Sequence, residues 1–221
     1  MIRDKRKDAD YFDAYITYQL ERINNKEMKL EACGDDEEKK QRIYLSLSKY
    51  KIDLLFAEYS AGYERSHLID SFHSSIDTII EMKELDYESM LNTLSMAVFL
   101  DEKYKLNKLY KQHDDLIQND KLLRCLYNYI VNWTIVWEGT LTIPHIYDTI
   151  NDIAVVENKA TVLNEYLDTW YSNRRELSWY DSHKSNNDIY VGYWSFESAA
   201  LAQIFGIEDQ KLRENEYYPI F

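Results

Sequence analysis

Glycine and proline, the residues that bend and stop helices, number only five and two in a chain of 221 residues. A backbone with so few breakers lacks the tight turns that a many-stranded sheet needs, and it favours long helices with short connections. The apolar spacing agrees. Phe12, Ile16, Leu20 and Ile23 recur at helical intervals and predict a helix over about 8–30. Ile43, Leu47, Tyr50, Leu54, Ala57 and Ala61 form a second stripe; Leu68, Phe72, Ile76 and Ile79 continue it beyond Gly62, which either bends this helix or is absorbed in it. Shorter helices are expected over 87–100 and 101–111, and the polar run 112–120 reads as a connector that divides the chain into 1–112 and 113–221. In the second half Leu122, Leu126, Tyr129, Ile130 and Trp133 stripe one helix, and Thr134–Trp137 reads as a short extended link. Ile146, Ile150 and Ile153 stripe another helix that starts at Pro144, and Leu163, Tyr166, Leu167 and Trp170 mark one running on toward Tyr180. The expectation is an all-α protein, a multi-helix array of two helical halves packed into one body.

Charge narrows the function. The net charge is −13, and it is unevenly placed: residues 1–42 balance at −1, residues 43–112 at −3, and residues 113–221, with 8 basic against 17 acidic side chains, at −9. Such a half repels nucleic-acid phosphates and attracts a basic protein, so direct DNA binding is excluded first. No apolar stretch approaches the ~20 residues of a membrane helix. The start MIRDKRKDADYF lacks the apolar run of a secretory signal, so a cytoplasmic location is expected. Cys33 and Cys125 stand in no metal or redox spacing and read as plain thiols. All five tryptophans lie in the second half.

The stretch YVGYWSFESAALAQIFGIEDQ, Tyr190 to Gln210, gathers aromatic residues around one acid. Ser195 reads as an N-cap, Phe196–Phe205 as a helix, and Gly206 followed by Ile207 as a Schellman stop. Glu197 falls in the first turn, where the helix dipole favours negative charge. Ala199, Ala200 and Ala202 permit close approach of a neighbouring helix.

Within that stretch, GYWSFESAALAQIFGIED followed by EYYPIF resembles the C-terminal domain of the PoNi family, immunity proteins that neutralise PoNe-type nuclease toxins in bacterial competition. The family pattern is an aromatic G-x-W-x-x-E-x-A-A helix, a G-[aliphatic]-[ED]-D turn and a terminal Tyr-Tyr-Pro, matched here by Gly192, Tyr193, Trp194, Glu197 and Gly206. The opening MIRDKRKDADYFDAYITYQLERI is similar to the start of the family's N-terminal domain. Where the family commonly reads Tyr-Pro-Tyr-Asp-Leu, this chain has Tyr218-Pro219-Ile220-Phe221. The resemblance implies an all-helical cytoplasmic protein with no catalytic residues and a cognate DNase toxin as its partner; no cofactor or metal is expected, type VI secretion is the associated setting, and monomer and homodimer both stay open.

A basic toxin surface would be met by acids sharing a face. His145, Asp148 and Asp152 stand three and four residues apart opposite Ile146, Ile150 and Ile153, as either an acidic contact stripe or an ordinary solvated face. Asp181, Asp188 and Glu197 flank the aromatic cluster and extend such a patch if the loop 182–189 folds over it. Arg174-Arg175 neutralises Glu176, Asp181 or Glu197, or else marks an anion site. Two rival classes remain. His73, His113-Asp114 and Asp168 invite comparison with helical His-Asp metal phosphohydrolases, although that dipeptide falls in the expected connector. A helical scaffold with several partners is the other.

Overall fold

A computed structural model of the chain describes residues 2–221, and among them every regular element is helical. By packing, these residues form two compact units: one holds the chain through Leu85 together with Asp181–Gly192, the other holds Asp86–Tyr180 and Tyr193–Phe221. The division expected at residue 112 is a division along the sequence; this one is a division in space.

The first unit is built on three helices, α1 (Ala9–Glu31), α2 (Glu37–Ala61) and α3 (Arg65–Ile79). Asp8 starts α1 by accepting from the N–H of Tyr11, and Asp36 starts α2 by accepting from that of Lys39. Phe12, Tyr15, Ile16, Gln19 and Ile23 line the buried face of α1, where the Gln19 amide donates to the Tyr50 carbonyl of α2. Gly62 ends α2 instead of being absorbed. Its φ of 89° lies in the left-handed region, and the N–H groups of Gly62 and Tyr63 return to the carbonyls of Tyr59 and Glu58. The stripe expected to run through Gly62 is therefore two helices folded against each other. Glu58, 3% exposed, ties them by accepting from His67 Nε2 and Ser71 Oγ.

A segment more than a hundred residues downstream completes this unit. Tyr190 is fully buried; its hydroxyl donates to Asp4, its N–H donates to the Tyr11 hydroxyl, and that hydroxyl donates to the Tyr190 carbonyl. Ser60 donates to the Val191 carbonyl at 2.7 Å.

The second unit contains α4 (Tyr87–Phe99), α5 (Leu106–Gln118), α6 (Lys121–Asn132), α7 (Pro144–Tyr147), α8 (Lys159–Trp170) and α9 (Phe196–Ile204). Helix α9 is its axis. Every residue from Phe196 to Ile204 except Gln203 is buried, and Ala199, Ala200 and Ala202 let α4 lie close against it. Three expectations are corrected here. The polar run 112–120 is not a connector: α5 extends to Gln118, kinked at His113 (φ −131°, ψ 32°), with Leu109, His113 and Ile117 inward. Asp114 and Asp115 lie on the outer face of an amphipathic helix, and Asp120 is buried as the cap of α6. The helix expected from Pro144 stops after one turn and continues as a 3-10 turn, Asp148–Ile150. Ile146, Ile150 and Ile153 still point inward, but the Asn151 carbonyl accepts from Trp137 Nε1 and Lys121 Nζ rather than from the next helical turn. Likewise α8 ends at Trp170 because the Arg174 guanidinium takes the Trp170 carbonyl, and a 3-10 turn, Ser172–Arg174, follows.

Candidate functional site

The aromatic signature enters α9 from an extended segment. Gly192, at φ 107°, makes a turn that an L side chain rarely tolerates, and Tyr193, Trp194, Ser195 and Phe196 follow, all buried. Ser195 occupies the cap position without capping: its Oγ has no hydrogen-bond partner, and its backbone does the work, donating to the Tyr217 carbonyl and accepting from Ser198 and Ala199. At the other end the expected stop is present. Gly206 takes φ 61°, its N–H reaches the Gln203 carbonyl, and the Ile207 N–H reaches that of Ala202 at 2.8 Å, the paired bonds of a Schellman motif.

In the first turn of α9, Glu197 is 3% exposed. Its Oε1 accepts from the Tyr166 hydroxyl at 2.6 Å, the Trp170 indole N–H at 2.6 Å and the Arg174 guanidinium at 3.0 Å. Arg174 also donates to the Tyr166 hydroxyl, and its guanidinium lies 4.6 Å from the centre of the Trp170 ring. Burial holds the Tyr166 hydroxyl far above its usual titration range, so it stays a donor. Among the choices open to Arg174 in the sequence, the structure selects Glu197. The ion pair, the phenol and the indole join α8, the 3-10 turn after it and α9 into one closed polar core.

Around that core the rings pack in a second shell. Trp170 stacks on Trp179 with centroids 5.5 Å apart, Tyr171 on Tyr217 at 5.4 Å, and Tyr193 meets Tyr171 at 4.9 Å. Trp179 Nε1 donates to Glu88, whose carboxyl is pushed up by burial. The aromatic residues collected around the acid therefore hold the helices of this unit together.

Glu197 is accordingly corrected as a contact residue: a partner's surface does not reach a carboxylate enclosed by three donors. The other acids lie outside. Asp148 and Asp152 are exposed on the second unit beside exposed His145. Asp181 and Asp188 belong to the first unit, where Asp181, at φ 59°, pairs with Lys184 at 2.9 Å and Asp188 is exposed.

The metal-enzyme residues do not assemble. His113 is 7% exposed with Nε2 unpartnered, whereas the adjacent Asp114 is exposed and accepts from the Asp115 N–H. His73 falls in the first unit and Asp168 in the second. Among the described residues no three histidines, cysteines or carboxylates converge on a point that could hold a metal ion. Burial pushes the Cys125 thiol up to about 12, which makes it a poor nucleophile.

Trp133, expected in the apolar stripe of α6, instead caps that helix and is 65% exposed, and Ile135 in the link after it is 48% exposed. Helical spacing and apolar character in the sequence do not distinguish a buried stripe from an exposed pair, so neither residue is expected from sequence as a contact.

Comparison with known proteins places the whole chain in context. The model of the PoNe immunity protein (PoNi) N-terminal domain matches residues 3–111, and that of the PoNe immunity protein (PoNi) C-terminal domain matches residues 118–220. Among solved structures, the chain is similar to protein PA2201 from Pseudomonas aeruginosa, with a TM-score of 0.74 at 18% identity over 98% of this chain and 87% of that one. At that identity the likeness is one of fold. No curated protein matches.

Proposed function

The chain belongs to the PoNe immunity protein (PoNi) family, whose members neutralise PoNe nuclease toxins, and from that membership we propose stoichiometric occlusion as its mechanism. A nuclease must present positive charge where DNA phosphates bind. An anionic protein that docks there excludes substrate without any chemistry of its own.

One observation carries the reading. Within residues 113–221, burial removes two acids, Asp120 and Glu197, and two bases, Lys121 and Arg174, from the surface. The imbalance of 17 acids to 8 bases becomes 15 to 6, so the charge of −9 remains outside, where a partner meets it. Asp148 and Asp152 on the second unit, and Asp181 and Asp188 on the first, are the contact acids of this proposal. The site of action is the cytoplasm, where a toxin reaches DNA; among the described residues no helix is long and apolar enough to cross a membrane.

Titrating the chain against the nuclease domain of the toxin encoded beside its gene tests this. DNA cleavage should fall in proportion to added protein and vanish at equivalence, and added salt should slow association more than it speeds dissociation. A salt-independent association rate, or inhibition far below equivalence, would refute it.

A further inference from the structure

We propose that the loop following α6, with Trp133 and Ile135 exposed at its start and the acidic strap 148–155 beside it, is the surface on which the toxin's nuclease domain docks. This rests on the immunity reading above and adds where the contact lies.

The loop is held rigid. Trp137 Nε1 donates to the Asn151 carbonyl at 2.8 Å, Arg124 donates to the Glu138 carbonyl, the Lys121 N–H to the Thr140 carbonyl, and the Thr142 N–H to Asp120 at 2.7 Å. With its base fastened at four points, the loop still leaves a tryptophan and an isoleucine in solvent. Burying them would gain transfer free energy at little further cost in ordering, the condition of a preorganised anchor. Trp133 is also strained: it caps α6 at φ 54°, a left-handed conformation that glycine or asparagine adopts more readily. A cap of this kind is better served by those residues, and the indole's ring contact within the chain, with Tyr129 at 5.7 Å, still leaves it 65% exposed, which favours a contact outside the chain.

Charge names the occupant. From Trp133 to Asn158 the chain carries Glu138, Asp148, Asp152 and Glu157 and not one lysine or arginine. Asn151 joins the two parts, since its carbonyl receives Trp137 and its amide donates to Asp152 at 2.9 Å. Three cations border this stretch and keep their charge, buried Lys121 on Asn151, half-buried Arg124 on the Glu138 carbonyl and half-buried Lys159 on the Val156 carbonyl, and the four acids outnumber them. Exposed apolar residues, Val155 at 83% among them, thus stand in a negative field that suits a basic protein with an apolar recess and opposes a second copy of the same acidic strap.

The experiment compares Trp133→Asn, Ile135→Ser and the pair Asp148→Lys/Asp152→Lys with two exposed controls on the first unit, Leu20→Ala and Asp35→Lys, for binding to the same nuclease domain. Trp133→Asn should weaken binding about 30-fold or more with an unchanged or raised Tm. The charge reversal should slow association roughly tenfold at low salt, and the controls should stay within about twofold. If Trp133→Asn binds like wild type, the loop assignment falls and the immunity reading stands. If it loses affinity together with Tm, Trp133 is a scaffold residue and the assignment also falls. Should sedimentation of the chain alone show a dimer that Trp133→Asn dissolves, the loop belongs to self-association instead. If wild type itself does not bind the nuclease, both readings fall together.

Discussion

Replacing Glu197 by Gln removes one charge from the closed core and leaves its shape. The amide oxygen can still accept from Tyr166 and Trp170, but Arg174, 5% exposed, loses its counter-charge 3.0 Å away. At an effective dielectric near 20 that pair interaction is about 5 kcal/mol in gross terms. Desolvation offsets most of it while the pair is intact, so the pair as a whole contributes little; breaking it strands a buried guanidinium, which costs about 3–5 kcal/mol. For a chain of this size the Tm should fall by about 10 °C. Urea unfolding followed by far-UV circular dichroism and by tryptophan fluorescence, to which Trp170 and Trp179 contribute, measures the free-energy loss, and thermal unfolding measures the Tm. Arg174→Met should cost a similar amount, and the double variant Arg174→Met/Glu197→Gln less than the sum of the singles. A Glu197→Gln protein within about 1 kcal/mol of wild type would refute the account of the core. A second readout separates scaffold from contact: at a temperature where the variant is folded, its affinity for the nuclease domain should match wild type within about twofold.

Two further substitutions probe single devices in the fold. Gly206→Ala meets no atom within 4 Å of the new Cβ, so its whole cost is the left-handed φ of 61°, about 1–2 kcal/mol in chemical denaturation; a neutral result would mean the α9 stop is not needed. His113, buried at the α5 kink with its titration lowered from 6.5 by desolvation, takes up a proton more readily in the unfolded chain. Stability should therefore be full above about pH 6.5 and fall as pH drops below it, by up to about 1.4 kcal/mol per unit, and His113→Leu should remove that component of the slope. An unchanged slope in His113→Leu would assign the acid sensitivity to other groups.

What the sequence made legible was whatever neighbours along the chain decide. Phe12, Ile16 and Ile23 lie on one buried face because helical spacing puts them there, although Leu20 of the same expected stripe is 50% exposed and Gln19 faces inward, and Gly206–Ile207 stops α9 because left-handed backbone and an apolar residue after it are local chemistry. What it hid depends on partners distant in sequence. Lys121 and Trp137 reach the Asn151 carbonyl, and that interruption turns the expected helix after Pro144 into a strap. Tyr190 joins α1 through Tyr11 and Asp4, residues nearly the whole chain away, and carries the loop holding Asp181 and Asp188 with it. The run 112–120 reads as a connector because polarity alone does not distinguish a loop from the wet face of a helix, here Asp114 and Asp115, whose inner face, Leu109, His113 and Ile117, is spaced four residues at a time.

The same distinction explains why Glu197 reads from sequence both as a structural signature residue and as a contact acid. A carboxylate in a first turn has the same sequence signature whether it faces water or the core, since the helix dipole favours it in both places. Burial decides between them through cost: an isolated carboxylate does not remain ionised inside, so a buried one must be met by donors, and those donors leave traces in the sequence as residues out of keeping with their surroundings. Arg174, one of only eight bases among residues 113–221, and the indole of Trp170 are those traces. Exposed acids need no such company. Asp148 and Asp152 lie exposed in a stretch without lysine or arginine, while Lys121 and Lys159, which border it, turn to the carbonyls of Asn151 and Val156, so the field of the two acids stays available to a partner.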